Sequence, residues 1–167
     1  VAPVPYDAGL AIGTAQYVWH SILGNERIEW KDNFTPYLGE AYAQEDVEAA
    51  IAASGVASCQ TTDEEVLDLL ADEKIISVYG GLSESGRRAL GNRSILADPR
   101  SPNMKDMINE KVKHRQWFRP FAPSILREEV SNWFVEDIDS PYMSFVIKFK
   151  DEVVDKVPAV VHFDNTA

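Results

Sequence analysis

Residues 75–100 read IISVYGGLSESGRRALGNRSILADPR, and this stretch decides both the fold class and the chemistry of the chain. The apolar run at 75–79, which ends in two glycines, predicts a buried strand that runs into a turn. SILA at 94–97 predicts a second short strand. The intervening loop is rich in glycine and serine, so its backbone N–H groups can approach an anion closely.

Arginine and amide side chains strengthen the interpretation of this loop as an anion site. Arg88 and Arg93 carry planar guanidinium groups that match phosphate or carboxylate geometry. Asn92 and Ser94 add side-chain donors beside them. A glycine loop alone is usually explained by a tight turn, whereas one interleaved with arginines and an Asn-Arg-Ser run indicates binding.

A second basic element follows at 111–124, which reads KVKHRQWFRPFAPS. Its candidate anion ligands are Lys113, His114, Arg115 and Arg119. An aromatic ring between such cations can flank a nucleobase or exclude water from the site. For Trp117 and Phe121 we favour the alternative of a strand with its aromatic residues facing inward.

Charge is concentrated in these two elements. The chain carries a net charge of −11, but residues 87–119 hold nine basic and three acidic residues, a net charge of +6. The remaining seven basic and 24 acidic residues give −17. This distribution predicts a focused site for a small anion and argues against a general nucleic-acid binder, which needs a basic face. A solvated basic helix with i,i+4 ion pairs remains the alternative.

The rest of the chain predicts alternating helices and strands, hence an α/β fold. Helices are predicted at 7–19, 44–54, 63–72, 102–113 and 127–134, and further strands at 142–149 and 158–164. Asp7 is placed to cap the first helix, and Thr61 or Thr62 with Glu64 or Glu65 predicts a capping box before the third. Turn residues between 24 and 38 predict a domain boundary near 38.

Length and cysteine content limit the class of protein. The 167 residues suffice for one well-packed domain, and the single cysteine, Cys59, cannot form a disulfide within the chain. We expect a cytoplasmic protein without a membrane segment or a secretory signal. The chain begins without methionine, so we expect it to be the C-terminal portion of a longer protein.

Three motifs together resemble the O-carbamoyltransferase family, which includes nodulation-factor and antibiotic-tailoring enzymes. They are ESGRRALGNRSILADPR, NEKVKHRQWFRPFAPS and PAVVHFDNTA, and the resemblance spans residues 75–167. The family pattern is close to G-R-x-E-x-G-P-R-A-L-G-N-R-S-I-L, then K-x-R-E-x-F-R-P-F-A-P and T-H-V-D-G-T-A-R. Leu82, Ser85, Arg87 and Asn165 depart from it.

The resemblance implies a fold with two parts. Residues 39–167 are expected to form a YrdC-like domain, a twisted mixed sheet with flanking helices. Residues 1–38 are expected to be the helical remnant of an actin-like ATPase-type domain that transfers the carbamoyl group. DAGLAIG at 7–13 resembles the end of that domain.

The implied activity has two steps. The YrdC-like domain makes carbamoyl-adenylate from carbamoyl phosphate and ATP, with Mg²⁺, and the larger domain passes the carbamoyl group to a hydroxyl of a sugar or similar acceptor. Several negative charges meet in the first step, so a cationic cage is needed. The expected catalytic residues are Arg88, Lys113 and Arg115, and the expected substrate or nucleotide ligands are Asn92, Arg93, Ser94, His114, Arg119, His162 and Asp164.

The resemblance also implies partners and a metal. The chain is expected to pack on the missing N-terminal domain or to form a homodimer. A divalent metal such as iron is expected in that domain, with Asp7 as one ligand and its partner histidines upstream. The alternative function is a nucleotide- or anion-binding regulatory module without catalysis.

Overall fold

The computed structural model describes Val4, residues 6–27 and residues 35–167 of the chain. The chain divides into two compact units. The first comprises Val1–Ser58 with Val78–Ser94, and the second comprises Cys59–Ser77 with Ile95–Ala167. The domain boundary predicted near residue 38 stays a prediction.

The described residues form an α/β structure with short elements. The longer helices are α1 (Gly9–Tyr17, followed by a π-helical turn at Val18–Ile22), α2 (Gln44–Ser54) and α3 (Asp63–Ala71). The others are α4 (Met104–Met107, followed by a π-helical turn at Ile108–Val112) and α5 (Val130–Trp133, preceded by a 3₁₀ turn at Arg127–Glu129), with a further 3₁₀ turn at Val154–Lys156. Strands β1 (Ile76–Tyr79) and β2 (Arg93–Leu96) pair antiparallel.

Local sequence explains the ends of the helices. The Thr62 hydroxyl accepts the N–H of Glu65 and the Glu65 carboxylate accepts the N–H of Thr62, so the predicted capping box of α3 is confirmed. Gly55, with a φ of 68°, ends α2, which agrees with the predicted end of this helix at residue 54. The predicted cap at Asp7 is wrong, because α1 begins after Ala8 without a side-chain cap.

The strand predictions are confirmed in part. β1 and β2 lie where the sequence places them, but most of β1 is exposed, not buried. The strands predicted at 142–149 and 158–164 are wrong, and the larger mixed sheet they would join is not confirmed. The described part of these segments has only the isolated bridges Phe134–Phe149 and Lys148–Thr166. Their apolar residues are buried by packing against one another instead of by a sheet.

The second unit has its own apolar core. Its larger cluster comprises Val130, Phe134, Ile147, Phe149, Val153, Val157 and Val160. A smaller cluster comprises Met104, Ile108 and Ala159. Phe121 packs against both clusters, so it links the segment after α4 to the C-terminal segments. Among the helices of the described ranges, none has an apolar stretch of the length that a membrane span requires.

Candidate functional site

The loop between β1 and β2 is organised around the buried carboxylate of Glu84. Glu84 Oε1 accepts the backbone N–H groups of Leu90 at 2.7 Å and Asn92 at 2.9 Å. Glu84 Oε2 accepts Nε of Arg93 at 2.8 Å. The side chain of Glu84 is fully buried, whereas that of Arg93 is 39% exposed. The two ends of the loop are therefore held together by one acidic side chain.

Arg93 makes further bonds inside the same loop. Its Nη2 atom donates to the carbonyl oxygens of Glu84 and Gly86, both at 2.9 Å. Asn92 and Ser94 are used in a similar way. Asn92 Nδ2 donates to the carbonyl of Leu82 at 2.7 Å, and Ser94 Oγ accepts the N–H of Gly91 at 3.0 Å. Three of the predicted ligand side chains thus hold the loop in shape.

The turn of the loop carries Arg87 and Arg88, both exposed. The Arg87 guanidinium lies 5.1 Å from the centre of the Tyr6 ring. A Cβ atom at Gly86 would lie 1.9 Å from the Tyr6 hydroxyl oxygen, so any other residue at this position would require the Tyr6 side chain to move. Arg88 has no ion pair with any residue in the described part of the chain. Its guanidinium is accessible to an anion from solvent.

The stability of this loop is expected to depend on pH. Burial alone raises the pKa of Glu84, but the hydrogen bonds from Arg93, Leu90 and Asn92 outweigh it and lower the pKa from 4.5 to about 2. Because the pKa is depressed in the folded state, the stabilisation is present above about pH 4.5 and is lost as the pH falls through about 2. Glu84→Gln should flatten the dependence of the unfolding free energy on pH across this window. A curve parallel to that of the wild type would contradict the expectation.

The second basic element is held by the buried side chain of Asn109, which follows α4. Asn109 Oδ1 accepts Nε of Arg115 at 2.7 Å, and Asn109 Nδ2 donates to the carbonyls of Trp117 at 3.3 Å and Arg119 at 2.9 Å. The Arg115 guanidinium also lies 4.6 Å from the centre of the Phe121 ring. Burial, and secondarily the charge of Arg119, lowers the pKa of Arg115, which still stays protonated.

Three other predicted ligands of this element are exposed: Lys113, His114 and Arg119. His114 has a φ of 47°, so the backbone turns sharply between the end of the π-helical turn and Arg115. The inward-facing strand predicted for the aromatic residues is wrong for Trp117, whose side chain is 72% exposed. It is right in part for Phe121, which is half-buried, although residues 114–126 form no strand.

The third predicted motif forms a tight turn at 162–166. The N–H of His162 donates to the carbonyl of Thr166 at 2.9 Å. The Thr166 hydroxyl donates to Asp164 Oδ1 at 2.7 Å, and this bond is the main cause that lowers the pKa of Asp164. Because the Thr166 hydroxyl proton is used in this bond, Thr166 Oγ1 can only accept from His162. We therefore assign the ring proton of His162 to Nδ1, which lies 3.3 Å from Thr166 Oγ1. Within the described ranges, His162 Nε2 is then a buried acceptor without a partner.

Comparison with known proteins identifies the family. A family model described as "Carbamoyltransferase C-terminus" matches residues 67–167. The chain belongs to this family. The resemblance derived from the three motifs is therefore confirmed at the level of the family.

Several relatives of the carbamoyltransferase C-terminus chain are much longer. It is 39% identical to an uncharacterized protein of Methanocaldococcus jannaschii, over 100% of this chain and 28% of that protein. It is 39% identical to nodulation protein U of Bradyrhizobium diazoefficiens, over 100% of this chain and 28% of the relative. Nodulation protein NolO of the same organism is 40% identical, over 100% of this chain and 32% of the relative. The chain thus spans about a third or less of the length of these relatives.

One departure from the carbamoyltransferase pattern has a structural reason. Asn165 stands where the family pattern has glycine, and its φ is 61°. Asparagine tolerates this left-handed conformation better than most other residues, so the turn from His162 to Thr166 is kept. Leu82, where the pattern has arginine, is 46% exposed, and its carbonyl accepts the Asn92 side chain.

The metal that the carbamoyltransferase resemblance implies lacks a complete set of ligands in the described ranges. Asp7 is exposed in the turn before α1. No group of three His, Cys, Asp or Glu side chains suited to a metal occurs among the residues that the structure describes. We therefore assign no chemical step of this chain to a metal.

Two residues that organise the site, Glu84 and Asn109, are not among the predicted site residues. Glu84 is the glutamate of the family pattern, within a glycine and serine loop just before the arginines, and Asn109 directly follows the buried Ile108 in the π-helical turn. Two signals could have indicated these roles. One is an acidic residue within a loop that is predicted to bind an anion, and the other is an amide residue within an apolar helical segment.

Proposed function

We propose that this chain is the part of an O-carbamoyltransferase that binds carbamoyl phosphate and ATP and forms carbamoyl-adenylate. The observation that carries the proposal is the presence of two basic elements whose shapes are fixed by buried polar side chains, Glu84 in one unit and Asn109 in the other. Sites that stabilise transferring phosphoryl groups rely on positioned cations more than on covalent catalysis. The membership of the family supports the same chemistry.

The chemical balance of the proposed step is simple. Carbamoyl phosphate and water give carbamate and inorganic phosphate. A carbamate oxygen then attacks the α-phosphorus of ATP, and the bond to the β-phosphate breaks with release of pyrophosphate. Exposed cations can stabilise developing charge on phosphoryl oxygens, and each basic element by itself presents such cations: Arg88 in the first, and Lys113 and Arg119 in the second.

The amino group of the carbamoyl moiety needs hydrogen-bond acceptors. The carboxylate of Asp164 is an acceptor of this kind in the turn at 162–166, and it is exposed. Its Oδ1 atom accepts the Thr166 hydroxyl, so its Oδ2 atom can accept an N–H of a bound ligand. We propose that this turn selects a carbamoyl group over an acyl group that lacks the N–H donors.

The test is the release of products by the full-length protein. We expect pyrophosphate and inorganic phosphate in equal amounts, with each dependent on the presence of both ATP and carbamoyl phosphate. Acetyl phosphate, which lacks the amino group, is the control substrate and should support little release. Binding of ATP without any release of pyrophosphate would favour a regulatory nucleotide-binding module instead. The acceptor hydroxyl is then sought by adding candidate sugars and measuring carbamoylated product.

A further inference from the structure

We infer that Glu84 is a positioning residue for Arg88, and that Arg93 serves as the partner of Glu84 instead of binding the anion. This inference rests on the proposed function, because it assigns roles within the same loop. It changes the role expected for Arg93, whose guanidinium the sequence alone places among the ligands. It also adds to the site an acidic residue, Glu84, in a loop that otherwise favours anions.

The connectivity of the loop supports the inference. Glu84 precedes the turn, whereas Leu90, Asn92 and Arg93 follow it, and all three donate to the one buried carboxylate. The segment from 85 to 89, which contains Arg88, is therefore closed at its base by three hydrogen bonds. Fixing both ends of so short a segment restricts where an arginine on it can reach.

The donors of Arg93 support the same assignment. Nε donates to the Glu84 carboxylate, and Nη2 donates to two backbone carbonyls of the loop. A guanidinium binds phosphate most strongly through a pair of parallel N–H donors. In Arg93, Nε is committed to the Glu84 carboxylate and Nη2 is committed to the two backbone carbonyls. Arg93 cannot offer this pair to a ligand without releasing Glu84.

The charges of Glu84 and Arg93 also support the inference. A buried carboxylate without a partner would disfavour an anion nearby, and it would be costly to keep ionised. The ion pair with Arg93 cancels this charge, at a distance of 2.8 Å. The positive charge of Arg88 then remains available to a phosphate group.

The test compares binding constants of matched variants of the full-length protein. Isothermal titration gives the Kd for Mg-ATP and for carbamoyl phosphate, and the ligand that Arg88→Ala weakens serves as the probe. Glu84→Gln and Arg93→Gln should each weaken binding of this probe about tenfold or more, since a misplaced cation loses most of its contribution. The Kd of the double variant for the probe should not exceed the higher of the two single-variant Kd values, because both changes break the same contact.

A second comparison separates positioning from general loss of structure. In the Arg88→Ala background, Glu84→Gln should weaken binding less than about threefold, because the side chain that it positions is already absent. Thermal melting of each variant shows whether the protein is folded at the temperature of the titration. Glu84→Asp, which keeps the charge with a shorter side chain, should retain more affinity than Glu84→Gln.

The outcomes are distinct. Additive losses from Glu84→Gln and Arg93→Gln, or equal effects of Glu84→Gln with and without Arg88, would overturn the inference and return Arg93 to the ligands. Tight probe binding by Glu84→Gln would overturn the inference alone and leave the proposed function intact. Failure of the wild-type protein to bind either ligand would overturn the proposed function, and the inference with it.

Discussion

Arg88→Ala is expected to lower carbamoyl-phosphate-dependent release of pyrophosphate about 10²-fold to 10³-fold, because it removes a cation from developing phosphoryl charge. Arg88 is exposed on a segment whose base is closed by Glu84, so the alanine variant should keep the shape of the loop. The measurement is the initial rate of pyrophosphate release by the full-length protein at saturating ATP and carbamoyl phosphate. The melting temperature should change little.

Arg100→Ala is the control for loss of a positive charge from the same basic segment. The Arg100 guanidinium is already paired with Asp98, which takes up its donors. The Arg100 side chain is 67% exposed, and the Asp98 carboxylate keeps the backbone N–H of residue 100 as a donor, so this variant should remain folded and lose less than about threefold in rate. Equal losses for Arg88→Ala and Arg100→Ala would show that only net charge matters and would contradict a specific role for Arg88.

The helices of this chain are predictable because their signals are local. The capping box joins Thr62 and Glu65, three residues apart, and Gly55 ends α2 in a conformation that other residues avoid. Such contacts form within one turn of helix and need no other part of the fold. β1 and β2 could be predicted for a similar reason, because they are two short apolar runs separated only by one glycine-rich loop.

The strands predicted at 142–149 and 158–164 show the limit of apolar patterns. Ile147, Phe149 and Val160 are buried as a strand pattern predicts, yet they pack in a cluster with α5 and the C-terminal turns. A short apolar run indicates burial, whereas a sheet also needs a neighbouring strand in register. That neighbour depends on contacts distant in sequence, which no window of the sequence contains.

The cations of the candidate site could be predicted from the sequence, but the side chains that hold them in place could not. Arg88 and Arg115 stand out because guanidinium groups beside glycine, serine and aromatic residues suggest binding of phosphate. The roles of Glu84 and Asn109 do not follow from the sequence, because each residue binds backbone groups and one arginine side chain that the fold brings to it. Whether an arginine faces a ligand or an internal carboxylate is decided by three-dimensional contacts, as Arg93 illustrates.

Asn109→Ala is expected to lower the unfolding free energy by about 2–4 kcal/mol, because three side-chain hydrogen bonds are lost at a buried position. The side chain is 1% exposed, so water cannot easily replace it. The carbonyls of Trp117 and Arg119 and the Nε–H of Arg115 all lose a partner. Urea unfolding, followed by tryptophan fluorescence, measures the change as a shift in the midpoint.

Asn103→Ala provides a matched control at the start of the same helical segment. Asn103 is exposed and makes no side-chain capping bond to α4, so its loss should change the unfolding free energy by less than about 0.5 kcal/mol. The difference between the two variants isolates the buried contacts of Asn109 from the helix propensity of asparagine. In conditions where Asn109→Ala remains folded, its carbamoyl-phosphate-dependent rate should still fall, because Arg115 is no longer held at Asn109 Oδ1. A stable variant with a wild-type rate would contradict both the energetic role of Asn109 and the catalytic role that the sequence predicts for Arg115.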